Sequence, residues 1–189
     1  MRGLRFVALA ALAACTVGSA HAVYIVDTGP GVTPNWSLFN QQSLGATFNV
    51  AAAGTINSVE GWIEGSAGTV TVQLVSGNNP NGAVLYSANF AAPAAASWQG
   101  AGSLGWAVGA GDYTVTFRAD AGFAGSMPGA SPNPLVTEWF TLNDQTSWNQ
   151  YDGLDLGIRI DAGPVPELGT YALMLLGLAG MGTLLRRRT

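Results

Sequence analysis

From Leu44 onward, apolar and polar positions alternate in short bursts set apart by Gly, Asn and Pro clusters, the pattern of strands with one buried and one exposed face. In SLGATFNV, Leu44, Ala46, Phe48 and Val50 share one face, and Thr47 and Asn49 share the other. The same alternation recurs in TINSVEGWIE, in GTVTVQLV (Val70, Val72 and Leu74 on one face) and in AVLYSANF. It continues in DYTVTFRAD (Tyr113, Val115, Phe117), in LVTEWFTL, and in LDLGIRID (Leu154, Leu156, Ile158, Ile160). Turn-forming stretches such as Gly77-Asn78-Asn79-Pro80-Asn81-Gly82 and Gly109-Ala110-Gly111-Asp112 separate the bursts. About seven or eight strands with no 3.6-residue period between them predict an all-β fold. The expected architecture over residues 44–162 is an antiparallel β-sandwich of jelly-roll type. An immunoglobulin-like sandwich fits the same spacing, because strand order cannot be read from it. Residues 23–43, with Gly29-Pro30-Gly31 and Pro34, read as an extended lead-in carrying one edge strand, and Gly122 to Pro134 as a long surface loop.

Two apolar runs break the period-2 pattern, one at each end. MRGLRFVALAALAACTVGSAHA has Arg2 and Arg5, an apolar stretch from Phe6 to Ala14, and Ala20-His21-Ala22 at its close. That order predicts a signal peptide over residues 1–22, cut before Val23. A second reading takes Leu12-Ala13-Ala14-Cys15 as a lipobox with Cys15 lipidated. At the other end, Leu168 to Leu185 is uncharged and Arg186, Arg187 and Arg188 follow at once. As a helix this run would be about 27 Å long, enough to cross a hydrocarbon core of about 30 Å. The arginines then act as a membrane stop on the cytoplasmic side, with the β domain on the far side.

Composition narrows the chemistry. The net charge is −4, but between the two terminal segments only Arg118 and Arg159 stand against ten carboxylates. Nucleic acid, which needs a basic footprint, is excluded as a partner. The chain has no Lys, and its one Cys and one His both lie in the predicted signal peptide. A mature domain without them has no disulfide, thiolate nucleophile, His base or His/Cys zinc site.

Carboxylates and aromatics remain. Glu60 and Glu64 would share one strand face about 13 Å apart, too far for a glycosidase pair on a regular strand. They are expected to be solvated face residues, so no catalytic residue is assigned and a carboxylate-dependent glycoside hydrolase is the less favoured reading. Asp144, Asp152 and Asp155 offer hard oxygen ligands near turns and form a weak candidate for structural Ca²⁺, without the dense spacing of a dedicated loop. No other cofactor is implied. Of six tryptophans, Trp98 and Trp148 stand beside Gln99 and Asn149 in turn-like contexts and are the candidates for glycan contact, the others being expected in the core.

GTVTVQLVSGNNPNGAVLYS and WAVGAGDYTVTFRA together resemble the β-sandwich domains of exported bacterial proteins over Ser43 to Ala119, which implies a non-catalytic domain. The C-terminal segment 163–189, with Val165-Pro166-Glu167, Thr170-Tyr171-Ala172-Leu173-Met174-Leu175, a Gly-rich apolar run and the final arginines, resembles the PEP-CTERM sorting signal of Gram-negative bacteria. Leu168 stands where the family has its second Pro, a P-E-L variant, and Gly169 where it has Ser. The resemblance implies an integral-membrane exosortase that recognises Pro166-Glu167 and cuts near it, after signal peptidase has acted at the N-terminus. The expectation is a non-enzymatic cell-surface or extracellular-matrix protein, held in the membrane by its C-terminal helix only before processing. The alternative is a carbohydrate-binding module that holds extracellular polysaccharide through exposed Trp.

Overall fold

The computed structural model describes residues 24–164, except 33–34, 41, 93, 121, 130–132, 136 and 143–145. The predicted signal peptide, the sorting motif at Val165, Pro166 and Glu167, the apolar run 168–185, Arg186, Arg187, Arg188 and Asp144 lie outside the described residues.

All regular structure among the described residues is β. The strands are β1 (Tyr24–Asp27), β2 (Asn35–Phe39), β3 (Ser43–Val50), β4 (Gly54–Gly65), β5 (Gly68–Ser76) and β6 (Val84–Ala92). They continue as β7 (Ser97–Val108), β8 (Gly111–Ala119), β9 (Ala124–Pro128), β10 (Thr137–Thr141), β11 (Asn149–Gln150) and β12 (Ile158–Pro164). They form two sheets with antiparallel pairing throughout. Sheet II runs β11-β10-β3-β8-β5-β6. Sheet I is built on the long β4, with β7 along one side. The other side is shared by β12, flanked by β1, and further along by β9, flanked by β2.

The core is the set of inward faces that alternation foretold. Leu44, Ala46, Phe48, Val70, Val72, Leu74, Val115 and Phe117 from sheet II meet Ile56, Val59, Ile63, Ile158 and Ile160 from sheet I, all buried. Burying each such large side chain contributes about 1.5–3 kcal/mol. One irregularity explains a break in parity: β4 is bulged at Asn57 against β12, where Ser58 and Ile56 face the consecutive Asp161 and Ala162, so the inward positions pass from Ile56 to Val59 and Ile63. The extra residue flips the side-chain phase. Glu60 and Glu64 therefore face outward, as expected, and Trp62, expected in the core, lies on the same outward face, half-buried.

Two segments differ from expectation. The lead-in contributes two strands, with Val26 and Leu38 buried. Within the stretch read as a surface loop, Ala124–Pro128 is a strand wedged between β2 and β4, with Met127 fully buried. Its small residues are what the wedge requires: a Cβ on Gly125 would lie 2.1 Å from the Glu64 carbonyl oxygen. A strand built of small residues for close approach carries no apolar alternation, which is why pattern reading passes over it.

Candidate functional site

On the outer face of sheet II the strand phase places Thr47, Gln73, Thr114 and Thr116, residues that would ordinarily be solvated. Thr47, Thr114 and Thr116 are nonetheless buried. The β5–β6 connection folds back over them. Thr114 Oγ1 donates to the Gly77 carbonyl at 3.0 Å and Thr47 Oγ1 to that of Asn78 at 3.2 Å. Gly77 adopts φ 90°, a left-handed conformation that glycine takes without strain. Asn79 Oδ1 accepts the Asn81 amide at 3.0 Å, an Asx turn that holds the loop in shape.

Trp139 closes the other side. It pairs with Gly45 of β3, and its indole N–H donates to Thr47 Oγ1 at 3.1 Å. The result is a polar cleft of 580 Å³ lined by Asn78, Asn79, Asn81, Asp112, Trp139 and Gln150 among others. A second depression of 280 Å³ shares Asn81 and is lined by Gln73, Thr116 and Trp148. Among the described residues the hydroxyl of Thr116 is buried and has no hydrogen-bond partner, Asp112 is the one carboxylate lining the two depressions, and no Arg lines either. Asp112 accepts from Asn49 Nδ2 at 2.7 Å. Amides, hydroxyls and half-buried indoles, with almost no charge, are the groups that bind neutral polyhydroxylated molecules.

Of the tryptophans proposed for glycan contact, Trp148 is half-buried in this surface and Trp98 is not part of it. Trp98 lies in β7 on the opposite sheet, not in a turn, with the Arg159 guanidinium 4.0 Å over its ring and Trp62 edge-on at 5.4 Å. One face of its indole is thus already occupied. Trp106 is buried, while Trp36, Trp62, Trp98, Trp139 and Trp148 are half-buried, so the tryptophans mostly coat the sandwich rather than fill it. Trp139 was not singled out by sequence reasoning. The available signal was its parity, which it shares with Thr137 and Thr141 on the polar face.

Glu60 and Glu64 face outward, half-buried, and Glu64 Oε1 accepts from Ser126 Oγ at 3.0 Å. Asp152 is exposed and accepts from Gln150 Nε2 at 3.1 Å, and Asp155 is half-buried with φ 52°. With Asp144 outside the described residues, no group of three His, Cys, Asp or Glu with metal-holding geometry occurs among those described.

The most perturbed carboxylate is one the sequence did not mark. Glu138 pairs with Ala46 and so points to the inner face, almost fully buried. Its Oε1 accepts from the Leu156 amide at 2.6 Å and its Oε2 from that of Asp155 at 2.5 Å. Burial pushes its pKa up; the backbone hydrogen bonds oppose this, and the neighbouring Asp155 charge adds to it. Both oxygens accept from backbone amides, and Oε1 also from Asn133 Nδ2 at 3.4 Å, which makes Glu138 a structural peg. No family model matches this chain, and no curated protein matches it in sequence.

Proposed function

We propose that this chain is an exported, non-enzymatic protein of the cell surface or extracellular matrix whose β-sandwich holds neutral polysaccharide on the outer face of sheet II. The observation that carries the reading is the cleft between the Asn78–Asn81 loop and Trp139, continued past Asn81 to Trp148. Aromatic faces for sugar rings stand there beside amide and hydroxyl groups for their hydroxyls. The strand order supports a jelly roll: setting aside β2, β9, β10 and β11, one sheet reads β1-β12-β4-β7 and the other β3-β8-β5-β6, an eight-stranded double sheet of the kind lectins use. The acidic domain surface favours an uncharged glycan, since uronates would meet like charge with few cations to offset it.

Export and sorting rest on the termini. The signal peptide is removed by signal peptidase, the apolar run 168–185 with its arginine stop holds the chain in the inner membrane, and an exosortase acts at Pro166-Glu167. The glycan reading is tested by affinity electrophoresis of the full chain in gels containing neutral glucans, mannans or xylans against gels containing polyuronates. Retardation by at least one neutral polymer and none by polyuronates is the expected result. Absence of retardation by every neutral polymer would remove the glycan reading and leave a matrix protein.

A further inference from the structure

A different cavity opens at the end of the sandwich where β2, β3 and β10 come together. It measures 370 Å³, and its walls are Trp36, Leu44, Phe140, Tyr151 and Leu154, with Gln42 the polar residue among them and Leu142 at the rim. This is within the range of small-molecule sites, and it is the apolar counterpart of the polar cleft on the outer face. Leu44 and Phe140 belong to the inner face of sheet II, so the cavity reaches toward the core.

Three features specify its occupant. Trp36 and Tyr151 meet edge to face, with centroids 5.6 Å apart, and Phe140 adds a third ring, so the walls suit a planar aromatic body. Gln42 is 9% exposed, and its Oε1 is buried with no hydrogen-bond partner among the described residues. Of the other polar groups in the lining, the Trp36 indole N–H donates to the Leu154 carbonyl at 2.6 Å, and the Tyr151 hydroxyl belongs to a side chain that is 51% exposed and so within reach of water. An ordered water needs roughly two to four polar partners, and a single acceptor among apolar walls is a poor site for one. A buried acceptor left unmet costs stability, and a donor brought in by a ligand recovers it. Among the described residues no charged side chain lines the cavity, which favours a neutral occupant.

We propose that this cavity binds a small, uncharged, hydroxylated aromatic molecule, its ring held among Trp36, Phe140 and Tyr151 and its hydroxyl donating to Gln42 Oε1. The site is independent of the glycan cleft and does not rest on the reading given above. No covalent step is involved.

The test is titration of the purified full chain with 4-methylphenol, toluene and cyclohexanol, followed by tryptophan fluorescence and calorimetry. 4-Methylphenol should bind saturably, with toluene and cyclohexanol each weaker by about fivefold or more, as loss of the hydrogen bond or of the ring contacts requires. Gln42→Leu should erase the preference of 4-methylphenol over toluene. Because Gln42 is buried and its variant could misfold, Leu142→Arg serves beside it: Leu142 is 63% exposed, so its replacement should leave the melting temperature unchanged while weakening 4-methylphenol binding. The proposal is overturned if 4-methylphenol does not bind saturably, if toluene or cyclohexanol binds as tightly, or if folded Leu142→Arg binds it undiminished.

Discussion

Glu138 Oε1 accepts the amide of Leu156 at 2.6 Å, tying the inward side of β10 to the turn that leads into β12. Leu156 is itself fully buried, and Glu138 is 3% exposed. An acidic side chain thus serves as an internal fastener between the two sheets. Its two shortest partners are backbone donors, with Asn133 Nδ2 a third donor to Oε1 at 3.4 Å, so its shape and its two acceptor oxygens matter more than its charge.

Glu138→Gln is expected to destabilise the domain by about 1–3 kcal/mol, because the carboxamide turns an N–H₂ toward one of two backbone donors and leaves that donor unmet in the interior. The pH dependence has a definite sign. Burial raises the folded-state pKa above 4.5, so the unfolded state gives up the proton more readily. The contribution of Glu138 is fully present below the unfolded value and is lost as pH rises through the folded one. Urea unfolding should therefore find the stability advantage of the native chain over Glu138→Gln larger at mildly acidic than at neutral pH. A difference that grows toward neutral pH would contradict this assignment.

Trp139→Ala and Trp148→Ala should each weaken binding to a neutral polysaccharide by about 0.5–1.5 kcal/mol, the worth of one aromatic contact. Trp139→Phe keeps a ring and loses the hydrogen bond to Thr47, so it should retain more binding than the alanine variant. Trp98→Ala should leave glycan binding unchanged and lower the melting temperature slightly, since its indole receives Arg159. Affinity electrophoresis with thermal melts separates these outcomes; equal loss of binding in all three alanine variants would move the site off sheet II.

Gly100→Ala and Gly102→Ala should differ although they are two positions apart on β7. A Cβ at Gly100 would lie 1.9 Å from the Val59 carbonyl oxygen, whereas nothing stands within 4 Å of one at Gly102. Overpacking against backbone costs about 1–3 kcal/mol. Chemical denaturation should show that loss for Gly100→Ala and less than about 0.5 kcal/mol for Gly102→Ala.

In cells that carry an exosortase, the mature protein should lack residues 168–189, and Glu167→Ala should retain them. C-terminal peptide mapping with and without the enzyme reads this directly. A tail retained in both backgrounds would show that the P-E-L variant is not processed.

Period-2 alternation in β3, β5, β8 and β12 was enough to assign the class and most of the core, because each of those strands buries one face and the apolar residues must fall on it. The same signal missed β9, whose Gly125 serves close backbone approach. It also offered no warning of the β4 bulge between Ile56 and Ser58, where one extra residue reverses the phase. The candidate site was legible only in part. Trp148 was picked out as an aromatic in a polar context, while Trp139 and the Asn78–Asn81 loop meet only because β10 pairs with β3 and the β5–β6 connection folds over that pair. Which carboxylate would be perturbed was not readable either: Glu138 sits in an ordinary alternating strand, and its burial follows from which face β10 turns inward. Sequence records what each residue prefers within a few positions along the chain. Which faces meet, and which polar groups are thereby sealed from water, is decided by pairing between segments at opposite ends of the domain, as Thr28 and Ile158, 130 residues apart, are.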